Sequence, residues 1–256
     1  MKISVVTVTF NSAQTVADTI ESVLKQQYED YEYIVVDGGS KDGTVEIVKS
    51  YEPKFGGKMR WISEPDKGMY DGINKGIRMA TGDVVGIINS DDFYHRSDIF
   101  SVIAKAFEDH PETQAIYGDV RFVNPDSLEK TVRYYSSKGF KPSKFRWGWM
   151  PAHPSFFTYR ENFEKYGYYQ YDYHIGADYE LLIRFLYTNK LPATYIPVDF
   201  MKMRTGGRST KGIQSNILLN KEIVRACKEN GIYTNLPILF LKYFVKVFEL
   251  IKTGDK

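Results

Sequence analysis

Short, mainly apolar runs alternate with amphipathic segments along the first half of the chain. The apolar runs are rich in β-branched residues and predict buried strands at residues 3–10, 33–36, 59–63, 84–88 and 115–118. The segments between them carry apolar residues at helical spacing. They predict one helix that is capped by Asn11 or Ser12 and others over residues 44–49, 68–80 and 98–108. Repeated strand–helix units predict an α/β fold with a mostly parallel sheet and helices on both faces.

The pattern changes in the second half of the chain. Two short apolar runs, at residues 120–123 and 130–134, flank an Asn-Pro-Asp turn and predict a hairpin. A Pro- and aromatic-rich segment follows, and a further amphipathic helix is predicted to begin near Ala177. We therefore expect one α/β domain over residues 1–212 and a C-terminal helical extension over residues 213–256.

Polar residues stand where three of the predicted strands end. They are Thr9 and Asn11 after the first strand, Asp37 after the second, and Asn89, Ser90 and Asp91 after the fourth. Ligands of open α/β sheets bind outside the carboxyl ends of the strands. These residues should therefore line one edge of the sheet and form its binding site.

Asp91 and Asp92 form an acidic pair directly after an apolar strand. Adjacent carboxylates repel each other and are costly to desolvate. A divalent cation completed by diphosphate oxygens would explain the pair. An Asx-rich turn that caps the helix near Asp98 would explain it equally well, and such turns are common.

Asp37 is followed by two glycines and then by Ser40 and Asp42. The glycines allow a ligand to approach the backbone closely, and Asp37 could hydrogen-bond a base or a ribose. The alternative is a tight turn in which Ser40 or Asp42 caps the next helix. The spacing does not match G-x-G-x-x-G, and the chain has no Walker A lysine loop, so dinucleotide and P-loop chemistry fit poorly.

Composition excludes some partners and compartments. The chain has 256 residues, 43% of them hydrophobic, and a net charge of +2, which gives no reason to expect nucleic acid as the main partner. The single cysteine, Cys227, excludes an internal disulfide and fits a reducing compartment. The N-terminal segment lacks the features of a secretory signal, and no uncharged apolar stretch is long enough to span a bilayer.

Several motifs occur together in an order that is typical of one enzyme family. They are VTVTFNS, VVDGGSKDGT, SEPDKGMYDGINKGIRMATGDVVGIINSDD, HPSFFTYR, GADYELLIRF and MRTGGRST. Together they cover most of residues 1–210 and resemble the family-2 glycosyltransferases. The resemblance implies a GT-A fold, which is Rossmann-like, and a donor that is a nucleotide-activated sugar.

The resemblance also implies roles for individual residues. Thr9, Asn11 and Asp37 align with nucleotide-binding strand ends, and Asn89-Ser90-Asp91 aligns with the DxD element, so Asp91 is expected to bind a divalent cation, Mg²⁺ or Mn²⁺. Asn89 stands where the family has Asp, and it could coordinate through its carbonyl oxygen or only touch the ribose. Asp92 could orient Asp91.

Asp178 aligns with the catalytic base of the inverting members. The family often has Glu-Asp there, whereas this chain has Ala177-Asp178. Loss of the first acid is common in a subgroup that shares EPDKG, so we do not interpret it as inactivation. Asp178 could also serve as a helix N-cap. The two roles can coexist, because a helix start would hold the carboxylate rigidly and keep it ionised.

Additional polar residues are secondary candidates. The segment from Asp66 to Lys75 has more polar groups than an amphipathic helix needs, and Lys67 or Lys75 could offset phosphate charge; Asp71 belongs to the same group. His153 stands where the family often has a histidine near the donor sugar or the acceptor. Arg204, Gly206, Gly207 and Arg208 suggest a basic loop that could close over the diphosphate.

The last 21 residues, LPILFLKYFVKVFELIKTGDK, predict an amphipathic helix that begins near Pro237. A narrow polar stripe, formed by Lys242, Lys246, Glu249 and Thr253, leaves a broad apolar surface. The helix could pack on the domain or on a second subunit, or it could lie in a membrane interface. A position in the membrane interface would suit a lipid-linked acceptor.

We therefore expect an inverting glycosyltransferase that moves a sugar from a nucleoside diphosphate sugar, with UDP-sugars favoured, to a carbohydrate or lipid-linked hydroxyl in cell-surface polysaccharide biosynthesis. It would work in the cytoplasm or at the cytoplasmic membrane face. One alternative is a sugar-1-phosphate nucleotidyltransferase, which would need a Gly-rich, Arg-containing loop where TFNSAQ stands. The other is a non-catalytic nucleotide-sugar-binding protein, which would have no need for both Asp91 and Asp178.

Overall fold

The computed structural model describes residues 1–206 and 212–240. Their strands are β1 (Ile3–Thr9), β2 (Tyr31–Asp37), β3 (Met59–Ser63), β4 (Val84–Ile87), β5 (Asp92–Tyr94), β6 (Ala115–Asn124), β7 (Ser127–Tyr135), β8 (Phe157–Tyr159) and β9 (Ala193–Arg204). Their helices are α1 (Val16–Leu24), α2 (Thr44–Tyr51), α3 (Met69–Met79), α4 (Ile99–Asp109), α5 (Glu161–Tyr166), α6 (Ala177–Ile183) and α7 (Gly212–Glu229).

The strands form one sheet in the order β3-β2-β1-β4-β8-β6-β9-β5, with β7 paired to β6. β3, β2, β1 and β4 are parallel neighbours, and β6 and β9 are also parallel. The short strand β8 lies antiparallel between β4 and β6. The predicted hairpin is present as the β6–β7 pair, and it extends β6 to Asn124. The predicted fold class, α/β with a mostly parallel sheet flanked by helices, is confirmed.

Both faces of the central strands are buried. Val6 and Val8 of β1 pack with Ile73 of α3 on one face, whereas Ile3 and Val5 pack on the other face in the same core as α1 and α4. A strand that is covered on both faces has no polar side to its sequence. This is why β1 and β2 are mainly apolar, and their polar residues Ser4, Thr7 and Glu32 are buried as well.

Helix α7 belongs to the core on the α3 side of the sheet. Its Ile223, Ala226 and Cys227 are buried there, and it packs against α6. Residues 236–240 are also helical, and Leu239 is buried in the same core. The polar stripe predicted for the tail (Lys242, Lys246, Glu249 and Thr253) lies outside the described residues.

Among the helices of the described part, none has the length and apolar character that crossing a bilayer requires.

The N-cap residues of two helices differ from the predicted ones, although α2 begins at Thr44 as predicted. The N-cap residue of α1 is Thr15, not Asn11 or Ser12, because the side-chain oxygen of Asn11 accepts the backbone N–H of Lys41 instead. The N-cap residue of α2 is Gly43. The carboxylate of Asp42 still accepts the N–H of Thr44, one of the predicted capping interactions.

Gly86 of β4 has no room for a side chain, because a Cβ there would lie 2.0 Å from Cε1 of Phe157 in β8. We expect Gly86→Ala to lower the free energy of unfolding by about 1–3 kcal/mol, since overpacking forces buried neighbours out of their rotamers. Urea unfolding followed by circular dichroism measures this. Val132→Ala, at an exposed position of β7, is the control and should change the value by less than about 0.5 kcal/mol. Equal stability of Gly86→Ala and the wild type would contradict this packing.

Candidate active site

The loops that follow β1, β2 and β4 are joined to one another at one edge of the sheet. The N–H of Gly38 donates to the carbonyl of Thr9 at 2.9 Å. The side-chain oxygen of Asn11 accepts the N–H of Lys41 at 3.0 Å, and the hydroxyls of Ser12 and Ser90 are hydrogen-bonded at 2.8 Å. The structure therefore brings the predicted strand-end residues together.

Asp37 is the most heavily hydrogen-bonded carboxylate of this edge. It is 1% exposed, and it accepts the hydroxyls of Thr9, Ser40 and Ser63 together with the N–H groups of Gly39 and Ser40. Burial acts to raise the pKa of Asp37, but these hydrogen bonds outweigh it and lower the pKa below its usual value. Both of its oxygens hold in shape the turn that contains Gly38 and Gly39, which we call the glycine turn.

Asp66 is the carboxylate that lies on the outer side of the glycine turn. A Cβ on Gly38 would lie 2.7 Å from its Oδ2, so a side chain there would displace the Asp66 carboxylate. Its Oδ1 accepts the N–H of Gly68 at 2.9 Å, just before α3 begins. Asp66 is half-buried, and it joins the glycine turn to the start of α3.

Residues Asn89 to Asp92 form a tight turn between β4 and β5. The N–H of Asp92 donates to the carbonyl of Asn89 at 3.1 Å, and the Asn89 side-chain amide donates to the Asp92 carboxylate at 2.9 Å. Asp92 is buried, and burial together with the neighbouring charge of Asp91 raises its pKa well above the usual range. Asp91 is half-buried at the surface of the turn.

The turn from Asn89 to Asp92, which we call the acidic turn, does not cap the helix near Asp98. Helix α4 begins at Ile99 with Asp98 as its own N-cap residue, and β5 lies between the turn and the helix. That alternative is therefore wrong. Asp92 is bonded to Asn89 inside the turn, so it shapes the backbone that presents Asp91.

Arg204 ends β9 and holds the acidic turn from the opposite side. Its Nη1 donates to the carbonyl of Asp91 at 2.5 Å, and its Nη2 forms an ion pair with Asp18 of α1. The guanidinium also lies 5.2 Å from the ring centroid of Phe93. Arg204 was predicted in a closing loop but belongs to the strand, because these contacts hold it there. Gly207 and Arg208 lie outside the described residues.

The two lysines of the α3 region have different surroundings. Lys75 Nζ forms an ion pair with Glu64 at 2.8 Å, donates to the carbonyl of Pro65 and lies 4.0 Å from Asp71. Lys67 is exposed, and within residues 1–206 and 212–240 it has no carboxylate partner within 4 Å. Lys67 is therefore the lysine that is available to an anionic ligand.

Two further interactions involve Lys67, just before α3 begins. The Asp71 carboxylate accepts the N–H of Lys67 at 3.0 Å, and the Lys67 ammonium lies 5.7 Å from the ring centroid of Tyr171. Asp71 therefore acts within its own helix start, whereas Lys67 reaches toward the segment that precedes α6.

Asp178 lies in the first turn of α6. The N-cap residue is Gly176, so the prediction that Asp178 caps the helix is wrong. Asp178 accepts the N–H of Tyr179 at 2.7 Å. Burial raises the pKa of Asp178 to about 7, and the negative charge of Glu222 acts in the same direction. The expectation that the helix start keeps it ionised is therefore corrected: its carboxyl group titrates near neutral pH.

His153 is an interior residue. It is 8% exposed, its Nε2 is 2.6 Å from the hydroxyl oxygen of Tyr169, and burial lowers its pKa to about 4. The Tyr169 ring stacks on that of Tyr70, and Tyr70 donates to the carbonyl of Ile175 just before α6. The histidine thus supports the tyrosines behind Asp178. No sequence signal distinguished these tyrosines from ordinary core aromatic residues.

The acidic side chains at this edge could supply only some of the ligands of a cation. Within the described residues, no group of three or more His, Cys, Asp or Glu side chains is arranged to hold a metal ion. Mg²⁺ in proteins is commonly bound by one or two carboxylates together with substrate phosphates. The half-buried Asp91 fits that kind of site, in which the donor diphosphate supplies the other ligands.

Two cavities lie away from this edge. One of about 810 Å³ is lined by Tyr117, Phe140 and Lys190 among others, and one of about 440 Å³ lies near Thr81 and Arg160. Neither is lined by the strand-end residues. The candidate site is therefore described by its converging polar groups.

Residues 4–168 match the family described as Glycosyl transferase family 2, and this is more than half of the chain. The chain belongs to this family. The family resemblance of the sequence motifs is confirmed at that level.

Two relatives illustrate the similarity. The glycosyltransferase is 26% identical over 222 residues to a "PGL/p-HBAD biosynthesis glycosyltransferase" of Mycobacterium bovis, covering 87% of this chain and 82% of the relative. It is 33% identical over 185 residues to an uncharacterized glycosyltransferase of Mycobacterium tuberculosis, covering 71% of this chain and 68% of the relative.

Solved structures share the fold. S. aureus TarS 1-349 in complex with UDP-GlcNAc aligns with a TM-score of 0.69 at 17% identity, over 91% of this chain and 68% of that one. A mannosyltransferase from Pyrobaculum calidifontis, in complex with GDP-Man and Mn²⁺, aligns with a TM-score of 0.63 at 18% identity, over 97% and 80%. This chain spans 40% of a longer TarS chain.

The hold of Arg204 on the acidic turn can be tested by substitution. We expect Arg204→Gln to weaken binding of UDP in the presence of Mn²⁺ about tenfold, because the Asp91 backbone loses a charge-assisted hydrogen bond of about 1.5–3 kcal/mol. Isothermal titration calorimetry measures the affinity. Arg96→Gln, which breaks an exposed pair with Asp98, is the control and should bind as the wild type does. Unchanged binding by Arg204→Gln would contradict the assigned role.

Proposed function

We propose that this glycosyltransferase is an inverting enzyme that moves a sugar from a nucleoside diphosphate sugar, with a UDP-sugar favoured, to an acceptor hydroxyl. The observation that carries the proposal is the connection made by the start of α3. Asp66 joins this start to the glycine turn. Tyr70 donates to the carbonyl of Ile175, so the start of α3 also contacts the segment that leads to Asp178. The start of α3 therefore contacts both the glycine turn and the segment that leads to Asp178, which supports a site that includes both.

Each group has a distinct task in this proposal. Thr9, Asn11 and Asp37 shape the strand ends against which the nucleotide binds, and Asp66 lies beside Gly38. Lys67 offsets phosphate charge. Asn89 and Ser90 form the turn that presents Asp91 to the cation.

Asp178 is the general base. It accepts the proton of the acceptor hydroxyl while that oxygen attacks the anomeric carbon from the face opposite the leaving diphosphate. A base whose pKa lies near the working pH combines a sufficient ionised fraction with good proton affinity, and the pKa of about 7 supports this role. Turnover should fall as the pH decreases through about 7, because the protonated carboxyl group cannot accept the proton.

A divalent cation, Mg²⁺ or Mn²⁺, would be held by Asp91. When bound with the donor, such an ion neutralises the charge that develops on the departing diphosphate. The structural neighbours support the choice of ligand class, since one was solved with UDP-GlcNAc and another with GDP-Man and Mn²⁺.

The proposal is tested by incubating the full chain with UDP-, GDP- and dTDP-sugars and Mn²⁺ or Mg²⁺, and measuring release of the nucleoside diphosphate. We expect Asp178→Asn to reduce turnover about 100-fold or more while UDP affinity is kept, because general bases contribute 10²–10⁴-fold. Asp91→Asn should lose the activity that depends on the cation. Asp30→Asn, at an exposed position before β2, is the matched control.

Three results would contradict the proposal. Binding of a donor without any release would indicate a non-catalytic protein. Formation of a sugar-1-phosphate and a nucleoside triphosphate from the donor and pyrophosphate would indicate a nucleotidyltransferase. Full turnover by Asp178→Asn would place the base elsewhere.

We further propose that the enzyme works at the cytoplasmic face of a membrane on a lipid-linked saccharide acceptor, in cell-surface polysaccharide biosynthesis. Trp147, Tyr233 and Leu236 are exposed. The hydroxyl of Thr234 donates to the carbonyl of Arg146 at 2.6 Å, so the segments that carry these three residues adjoin. Aromatic side chains beside cationic ones are typical of surfaces that contact lipid headgroups. We call these three residues the aromatic patch.

Vesicle co-sedimentation tests the membrane proposal. We expect the double variant Trp147→Ala and Tyr233→Ser to bind vesicles that contain phosphatidylglycerol about tenfold more weakly than the wild type, a loss of about 1.4 kcal/mol from removed apolar contact. Val132→Ser, which removes an exposed apolar residue from β7, is the control. Equal binding by the double variant and the wild type would contradict a role of the aromatic patch.

A further inference from the structure

We propose that Glu222 of α7 is a positioning residue for the reaction, because it fixes the backbone that places Asp178. The inference rests on the proposed function, in which Asp178 is the base. It concerns a residue that lies 44 positions further along the chain, in the region predicted to be an extension.

The Glu222 carboxylate accepts three consecutive backbone N–H groups. Its Oε1 accepts His174 at 2.8 Å, and its Oε2 accepts Ile175 at 2.9 Å and Gly176 at 2.8 Å. Successive N–H groups that converge in this way form an anion-binding nest. Glu222 itself is 6% exposed, so its charge depends on these donors for compensation.

The same short segment is held from its other side by α3. Tyr70 donates its hydroxyl hydrogen to the carbonyl of Ile175, while the N–H of Ile175 donates to Glu222. Ile175 is therefore fixed at both of its main-chain polar groups by two different helices. Asp178 follows three residues later, and its position depends on this clamp.

Gly176 leaves little room for a side chain where α7 approaches the segment. A Cβ on Gly176 would lie 3.2 Å from the Cβ of Glu222 and 3.3 Å from its Oε2, which is tighter than ordinary van der Waals contact. Gly176 is also the N-cap residue of α6 and has no side chain with which to cap the helix. Glu222 supplies from α7 a carboxylate at the helix start, where negative charge is stabilising.

Glu222 also changes the charge environment of Asp178. Within residues 1–206 and 212–240, the titratable groups that interact with the charge of Asp178 are Tyr70 from α3, Tyr169 from the segment before α6, Tyr179 from α6 itself and Glu222 from α7. Burial is the larger cause of the raised pKa of Asp178, and Glu222 raises it further. Removal of the Glu222 charge should therefore lower the pKa of Asp178 and extend the active range to lower pH.

The experiment compares Glu222→Gln with Glu229→Gln in the full chain. Glu229 is a carboxylate of the same helix that bonds the Tyr173 hydroxyl and Arg225 and does not contact the 174–176 backbone. Using the donor that the panel identifies as active, we expect Glu222→Gln to lower kcat about 10- to 100-fold with KM for the donor changed less than about threefold. The decrease of its turnover on the acidic side of the pH profile should also move to lower pH. Glu229→Gln should change neither quantity.

Two additional variants keep the test valid if Glu222→Gln folds poorly. Glu222→Asp retains the charge and should recover part of kcat, with the decrease on the acidic side near its original pH. Tyr70→Phe removes the bond on the other side of Ile175 and should also lower kcat without loss of UDP affinity.

The inference would be overturned if Glu222→Gln had the wild-type kcat and an unchanged pH dependence on the acidic side. If Glu222→Gln does not fold, wild-type kcat in both Glu222→Asp and Tyr70→Phe would overturn it. Equal losses in Glu222→Gln and Glu229→Gln would also overturn it, since they would indicate a general effect of α7 on stability. Failure of the proposed function gives a different result: either Asp178→Asn keeps its turnover, or the wild type releases no nucleoside diphosphate from any donor of the panel.

Discussion

The loops after β1, β2 and β4 are hydrogen-bonded to one another, and the candidate site depends on this network. Parallel neighbouring strands end at the same edge, so the loops must converge there. The bonds of Asn11 to Lys41 and of Ser12 to Ser90 then fix the loops relative to each other. Without these bonds the acidic turn and the glycine turn would be separate surface loops.

The carboxylates around this edge have different tasks because their surroundings differ. Asp37 is saturated with hydrogen bonds, which lower its pKa, and it serves the shape of the turn. Asp92 is buried beside another acid, which raises its pKa. The pKa of Asp178 is also raised, to about 7, but this residue lies at a helix start and is partly exposed. Environment, and not residue type, separates the structural acids from the proposed base.

Helix α7 connects the end of the described chain to the chemistry. Its apolar face completes the core beneath α6, and Glu222 reaches the backbone that leads to Asp178. The residues that follow α7 return to the 3₁₀ helix Pro142–Trp147, where Thr234 bonds Arg146. One continuous segment thus holds the backbone before Asp178, the proposed base, and carries part of the aromatic patch. A membrane that binds this patch would therefore contact the segment that holds the proposed base.

The sequence by itself determined the α/β class, the order of the first strands and the strand ends at which the polar residues stand. These follow from local apolar runs and from the rule that parallel strands end together. Tertiary structure alone decided which carboxylate is saturated with hydrogen bonds, which lysine is free of carboxylate partners in the described part of the chain, and which residue holds the backbone before Asp178. Asn11 bonds Lys41 instead of capping α1, and Lys75 is paired with Glu64. Such contacts join residues far apart in the chain, and periodicity carries no information about them.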